Sequence, residues 1–340
     1  MRLIRMAIAN YIFTEPRKGV VAHSAISKLI AEDNLVYEWI GMVGNDMWST
    51  GTNIVPAITK WPGSMEPTET AFALGKGMSF WDLLQQDPER AIKFAKGMQF
   101  LQSHPAFNIE HLVKSLGWDT ESAPKLMVDM GGSSGSIAKA LLERYPKLEI
   151  HVQDVPEALA GAEVPGNLEG RLSFSPHNFF TPQSINGADV YFLRSILHDW
   201  SDKYAVAIIK NIIPALKPGG RVIVNEVVLP EPNSISNDYA QLLRYVASFD
   251  MYRYLETNTC VSTYRGYDLS MLQLFNAKER DAAEWEALFQ DTDSRFKLER
   301  IATVPGSLLS VVEFVWLADE PTLGGTADGS TGGLQRIEER

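Results

Sequence analysis

Between residues 125 and about 230 the chain repeats one pattern: a short apolar, β-branched run, a helix-length amphipathic stretch, then another short run. The runs fall at 125–129, 148–153, 189–193 and 221–228. Strands that are apolar on both faces need cover on both faces, and helices between them supply it. The pattern predicts an α/β fold built on a doubly wound parallel sheet. A helix at 282–289 and two strands at 296–304 and 307–316 are expected to complete it.

Residues 1–115 read differently. Leu3, Ile4, Ala7, Ile8 and Tyr11 recur at helical spacing, a Pro and a Gly mark a turn at 15–19, and Ala22, Ile26, Leu29 and Ile30 resume the helical pattern. Helix, glycine turn, short β-branched run and helix predict a winged-helix-like unit in a mainly helical first domain. Residues 116–317 are expected to form the sheet domain, and 318–340, rich in Gly, Thr, Asp and Ser, a disordered tail. A length of 340 residues suits two domains.

Composition excludes several classes of function. Hydrophobic residues make up 45% and charged residues 21%, which rules out wholesale disorder. No apolar run approaches the roughly 20 residues that span a bilayer. The basic, apolar start is not followed by a small-residue cleavage site, so no signal peptide is expected. Cys260 is the single cysteine, which excludes a disulfide framework and suits a reducing, cytoplasmic setting. The net charge is −11, and residues 1–60 carry six Lys or Arg against five Asp or Glu. Neither figure offers a surface for nucleic acid, which argues against a winged-helix regulator.

The most informative local feature is the run Val128-Asp129-Met130-Gly131-Gly132-Ser133-Ser134-Gly135, where a strand hands over to a helix. Glycines there let the backbone approach a ligand, and the helix start offers free N–H groups. A plain tight βα turn would read the same way. A dinucleotide fingerprint would need glycines where Ser133 and Ser136 stand. Asp129 closes the strand before the turn, and Asp154 stands at the end of the next, placed to grip a ribose diol. An acid, a glycine turn and a second acid suit S-adenosylmethionine, which carries a ribose and an amino-acid tail but no pyrophosphate.

Three further blocks carry a resemblance. They are residues 188–202, which contain Leu197-His198-Asp199-Trp200, residues 216–226, which contain Lys217-Pro218-Gly219-Gly220 and end in Glu226, and residues 274–280, which end in Lys278-Glu279-Arg280. Together they resemble the plant and fungal O-methyltransferases of the caffeate type, in the fungal secondary-metabolite branch, over residues 2 to about 316. The resemblance implies a Rossmann-like methyltransferase sheet, S-adenosylmethionine as cofactor, no metal, and a phenolic hydroxyl on a small aromatic acceptor, such as a polyketide. It assigns His198 as the base, with Glu226 and Glu279 orienting. It assigns Asp129, Gly131, Gly132, Gly135, Asp154, Asn178, Phe179 and Arg194 to the cofactor: Asp154 to the ribose, Asn178 and Phe179 to the adenine. Trp81 and Met98 fall where the family touches the acceptor, on a wall that also includes Met78, Phe80 and Phe94, although such a stripe also fits a plain core. Two positions depart from the family: Asn178 stands for Asp, and Ser133 for a glycine. The other histidines, His23, His104, His111, His151 and His177, show no paired metal-ligand spacing and are expected to be structural.

The chemistry asked of His198 is modest. A phenol ionises near pH ~10 and an imidazole near ~6.5, so the base needs its cationic form stabilised. A carboxylate on the other ring nitrogen does this and fixes the tautomer. A methyltransferase-like scaffold without activity is the alternative, against which the presence of His198, Glu226 and Glu279 argues.

Two features stand apart from the family. Relatives carry helices ahead of the winged helix that interlock two subunits, whereas this chain starts at the winged helix. The expectation is a weakened homodimer with apolar surface exposed on residues 1–12, or a gene model lacking its true start. The interval from Glu226 to Glu279 is also longer than the resemblance leads one to expect, and the excess falls at 246–266. That segment shows no sustained helical periodicity. It reads as a retained intron translated in frame, or else as a lid-like insertion.

Overall fold

The computed structural model describes residues 1–119, 121–230 and 261–317. At its centre lies a seven-stranded sheet. The strands are β3 (Leu126–Met130), β4 (Glu149–Asp154), β5 (Leu172–Pro176), β6 (Val190–Arg194), β7 (Arg221–Glu226), β10 (Phe296–Ala302) and β11 (Ser310–Trp316). Their order is β10-β11-β7-β6-β3-β4-β5. From β5 to β7 every pairing is parallel, and β11 lies antiparallel to both β7 and β10. The direction of strand addition reverses between β3 and β6: β4 and β5 build outward on one side of β3, and β6 and β7 on the other. In such sheets the ligand crevice opens at the carboxyl ends of the strands, at that switch point.

Alternation along each strand sends side chains into two cores. Val128, Met130, Tyr191, Leu193, Val222, Val224, Val312 and Phe314 face the helices Asp202–Ile212 and Ala282–Thr292. Met127, Ile150, Val152, Val190, Phe192, Ile223 and Val311 face the helices Ile109–Leu116 and Ser136–Arg144. The expected strands are present within a residue or a few at their ends. One strand was not anticipated: β5, which alternates Leu172, Ser173, Phe174 and Ser175 and ends in Pro176. Proline is tolerated there because β5 is the sheet's edge.

The expected run 221–228 divides in two. After β7 the chain leaves the main sheet, and β8 (Val228–Leu229) pairs in parallel with β9 (Arg280–Asp281) in a ladder of its own, Val228 opposite Arg280. This short ladder brings the ends of two distant segments, Glu226 and Glu279, to one place.

The first region follows the expected order: helix Arg2–Ala9, a ribbon of β1 (Phe13–Arg17) and β2 (Val20–His23) turning at Gly19, then helix Ala25–Glu32. The helix Arg2–Ala9 buries none of its residues, and Leu3 is 86% exposed. Farther on, residues 64–69 are tied to the segment after β6 and to Asn276, just past the helix Val261–Phe275. Ser201 Oγ donates to Met65 O, Tyr204 Oη to a Glu66 carboxylate oxygen, and Asn276 Nδ2 to Glu66 O and Glu69 O.

Residues 246–260 of the suspected insertion lie outside the described residues, as does the tail 318–340. The segment's last six residues, 261–266, form the start of the helix Val261–Phe275, although the segment shows no sustained helical periodicity of its own. Met271, Leu274 and Phe275 anchor that helix by burying themselves with Phe72 and Phe80.

The antiparallel end of the sheet hangs on one aromatic pair. Phe314 is fully buried and stacks on Phe289 with ring centroids 3.7 Å apart. Phe314→Ala should destabilise the fold by about 3–5 kcal/mol, read as a lower urea midpoint. A midpoint unchanged from the parent would show that this pair does not support the sheet.

Candidate active site

Where β6 ends the chain turns sharply. Ser195 takes a left-handed conformation, φ +52°, and a 3₁₀ turn, Leu197–Asp199, follows. The two N–H groups that open this turn point at the end of the neighbouring strand. Glu226 Oε1 accepts from Ile196 N at 2.8 Å and from Leu197 N at 2.9 Å. His198 is thereby held over two acids. Its Nδ1 lies 2.8 Å from Glu279 Oε1 and 3.8 Å from Glu226 Oε2, and its Nε2 is 3.6 Å from Asp199 Oδ1. Both glutamate side chains are fully buried, whereas the histidine retains 18% exposure.

A carboxylate can only accept, so the hydrogen on the His198–Glu279 bond belongs to Nδ1, and the neutral ring presents Nε2 as an acceptor. Burial disfavours the charged ring, but Glu226, Glu279 and Asp199 outweigh it and hold the His198 pKa well above that of a free imidazole. Burial also pushes Glu226 up to about 7, against the pull of His198, and Asp199 up to about 6. The three donor atoms of His198, Glu226 and Glu279 lie within 4.8 Å of one another, and among the described residues this is the group compact enough to hold a cation.

On the other side of the switch point sits the glycine turn. Gly131 and Gly135 have φ of +78° and +71°, and Ser133, at the family's glycine position, also adopts a positive φ, +50°. A side chain at any of these glycines would force a neighbour to move, and at Gly131 and Gly135 it would also be strained by the positive φ. A Cβ on Gly131 would lie 2.4 Å from Ile196 Cδ1, and one on Gly132 would lie 2.5 Å from Asp129 Oδ2. At Gly135 it would meet the Phe174 ring at 2.9 Å. Asp154 spans the mouth of this cradle, accepting from Ser133 N at 2.9 Å and Val155 N at 2.8 Å. Each carboxylate oxygen thus keeps a lone pair for a ribose hydroxyl. Asp129 is buried beneath the turn, and its Oδ2 has no hydrogen-bond partner. Burial raises its pKa to about 7, with Asp154 adding and Arg194 opposing. Such a cradle, with an acid at its mouth and an orphaned acid below, fits S-adenosylmethionine.

Arg194 lies between the two halves. It hydrogen-bonds Asn225 Oδ1 and Phe107 O, and desolvation lowers its pKa to about 10 despite Asp129 and Glu226 nearby. Asn178 is exposed, and its Oδ1 accepts from Phe180 N at 3.0 Å, so the oxygen expected to meet an adenine amino group has one lone pair already engaged. Phe179 packs edge-on to Trp200 at 5.9 Å.

The structure gathers some of the expected acceptor wall and not the rest. Trp81 lies in a stack between Trp200 (5.7 Å) and Phe275 (5.0 Å), with Phe80 and Phe94 at its edges. Trp200 is two residues beyond His198, which brings this aromatic wall to the histidine turn. Met98 is half-buried on the helix Pro88–Gln102 and stands outside that cluster. Its neighbour Gly97 is buried against Trp39 and Met42, so this part of the helix packs within the first region.

Sequence reasoning missed several contributors. Asp268 Oδ1 accepts from Glu279 N at 3.1 Å. Tyr267, half-buried against Val227 and Leu309, is pushed to a pKa of about 12 by desolvation and by Glu279. Arg280 carried no role although it sits in the Lys278-Glu279-Arg280 block. Its partners lie far off in sequence, and the one available signal was an arginine flanked by two acids, Glu279 and Asp281.

Comparison with known proteins places these features in a family. The profile of the O-methyltransferase domain matches residues 64–293. The O-methyltransferase kk1A of Curvularia clavata is 50% identical over 321 residues, covering 94% of this chain and 71% of that protein. The grayanic acid biosynthesis cluster O-methyltransferase of Cladonia grayi is 33% identical, covering 95% and 64%. Among solved structures, the mitomycin 7-O-methyltransferase MmcR aligns with a TM-score of 0.72 at 23% identity, covering 93% of this chain and 82% of that one. The O-methyltransferase NcsB1 of neocarzinostatin biosynthesis, solved with S-adenosylmethionine and 2-hydroxy-5-methyl naphthoic acid, aligns with a TM-score of 0.70 at 25% identity, covering 93% and 84%.

The buried acid beneath the turn has a measurable consequence. Asp129 is raised to about 7 from an ordinary value of 3.8. Its unfolded form therefore loses its proton between those values while the folded form keeps it, and stability falls as pH rises through that window. An Asp129→Asn protein lacks this loss. Its urea midpoint should gain on the parent's from pH 4 to pH 7; a constant difference would show that Asp129 ionises normally when buried.

Proposed function

The chain belongs to the O-methyltransferase family and uses S-adenosylmethionine, and from that premise we propose that it methylates a phenolic hydroxyl on a small aromatic secondary metabolite, such as a polyketide, with His198 as general base. One observation carries the reading: Glu279 occupies Nδ1 of His198, which leaves Nε2 as the acceptor once the ring is neutral.

The residues divide the work as follows. The cofactor supplies the methyl group from its sulfonium. Asp154 holds the ribose diol, Gly131, Gly132 and Gly135 let the backbone close on the amino-acid tail, and Asp129 and Arg194 set the charge beneath it. Phe179 and Asn178 flank the adenine. Trp81, held in its stack between Trp200 and Phe275, belongs to an aromatic wall beside the histidine turn suited to an aromatic acceptor. That NcsB1 was solved with a hydroxynaphthoic acid supports an acceptor of this kind.

As the acceptor oxygen bonds to the methyl carbon, its proton passes to His198 Nε2, and the sulfur–methyl bond breaks. Glu279 and Glu226 stabilise the imidazolium until the proton leaves to solvent. General-base help of this sort is worth about 10²–10⁴-fold, and alignment of oxygen with methyl lowers the barrier by up to ~7–11 kcal/mol. No step calls on a metal, so a chelator should leave turnover unchanged. The exposed side chains Leu3, Met6, Trp48 and Val55 support a homodimer formed through the first region. A cytoplasmic setting fits the single cysteine, and among the described residues no helix is long and apolar enough to cross a membrane.

Two outcomes test the base. His198→Ala should cut turnover of a hydroxynaphthoic acid by two or more decades while cofactor affinity, set by Asp154, holds within about twofold. Equal turnover in the variant would remove His198 from the mechanism. In the parent, kcat/KM should rise with pH through a limb well above ~6.5, because the ring is inactive while protonated and its acids keep it so. A limb at the ordinary imidazole value would mean that Glu226 and Glu279 do not act on the ring during turnover.

A further inference from the structure

The acid that holds His198 has a neighbour with no part in the proposed reaction. Arg280 is completely buried. A guanidinium there is tolerable only if its donors are met. Its Nη1 donates to Leu197 O at 3.0 Å and its Nη2 to Trp200 O at 3.0 Å. Nε and Nη2 also reach Asp202 Oδ1, at 3.0 and 2.8 Å. The Trp285 ring covers the guanidinium, 5.1 Å from its carbon.

Leu197 and Trp200 bracket His198 in the chain. Their carbonyls are held by Arg280, while the N–H groups of Ile196 and Leu197 are held by Glu226. The turn is therefore fixed through donors on one side and acceptors on the other. Arg280 is itself placed by the β8–β9 ladder, opposite Val228, so one backbone pairing locates the clamp and both acids. Lys278 supports the arrangement by bridging Asp202 at 3.2 Å and Glu284 at 2.8 Å.

We propose that Arg280 is a positioning residue for methyl transfer: it pins the backbone on both sides of His198, so that the ring keeps its bond to Glu279 and presents Nε2 to the acceptor. This rests on the reading of His198 as the base. A lysine would keep the charge beside Asp202, but its donors all leave one nitrogen and lack the planar spread by which Nε, Nη1 and Nη2 reach two carbonyls and a carboxylate. With the turn loosened, the ring moves away from the acids that face it: Glu226 at the end of β7, Glu279 ahead of β9 and Asp199 in its own turn. Tyr267, from the helix Val261–Phe275, faces Glu279. Burial opposes the charged ring and the acids favour it, so their retreat lowers the ring's titration midpoint.

The test compares the parent chain with Arg280→Lys and Arg280→Ala by three measurements: turnover of a hydroxynaphthoic acid, cofactor affinity by calorimetry, and the His198 ring titration by NMR. In Arg280→Lys, kcat should fall roughly 10²-fold, cofactor affinity should stay within about twofold, and the His198 midpoint should move down towards that of a free imidazole. If Arg280→Ala does not fold, Arg280→Lys carries the test. Turnover lost only in proportion to unfolded protein, with the midpoint unmoved, would make Arg280 a structural residue and overturn the proposal. A parent that transfers no methyl group, with a midpoint that still drops in Arg280→Lys, would overturn the functional reading and leave the clamp standing.

Discussion

Two buried carboxylates facing one imidazole make the constraint around which this site is organised. Leaving water costs each such ion several kcal/mol even after relaxation, so Glu226 is tolerable at full burial only because it is met. Two backbone N–H groups, from Ile196 and Leu197, supply charge-assisted bonds worth about 1.5–3 kcal/mol each. Meeting that requirement forces the chain after β6 into a tight turn, with Ser195 at φ +52°. His198 sits in that turn because Glu226 dictates where its backbone goes.

The same constraint connects regions that are distant in sequence. Glu226 ends β7, Glu279 precedes β9, and the two-residue ladder between β8 and β9 sets their spacing. Asp268 fixes the backbone of Glu279 from a helix that also buries Phe275 beneath Trp81. Through Ser201, Tyr204 and Asn276 the first region's segment 64–69 is bonded to this assembly. Acceptor wall and histidine turn are thus parts of one packed unit, and displacing one strains the other.

Much of the sheet was legible because β3, β6 and β7 carry apolar runs such as Leu126-Met127-Val128, Val190-Tyr191-Phe192-Leu193 and Val222-Ile223-Val224, and β4 alternates Ile150 and Val152 with polar residues. β5 was not, since an edge strand with Ser173 and Ser175 on its open side looks like loop. His198, Glu226 and Glu279 were found through motif blocks, and their convergence needed no coordinates. Arg280 and Asp268 were missed as contributors because their value lies in partners, Leu197 O, Trp200 O and Glu279 N, that only the fold brings near. Met98 illustrates the opposite difficulty: a thioether at helical spacing suits core and pocket alike, and the structure sets it apart from the aromatic wall.

The central claim is that oxygen, not carbon or nitrogen, receives the methyl group, and that it does so at this histidine. Incubating the full chain with S-adenosylmethionine labelled in its methyl group and a hydroxynaphthoic acid, then locating the label by NMR of the product, tests this most directly. The account predicts one labelled methyl ether at the phenolic oxygen. A label on ring carbon, or no transfer by protein that binds the cofactor, would contradict it.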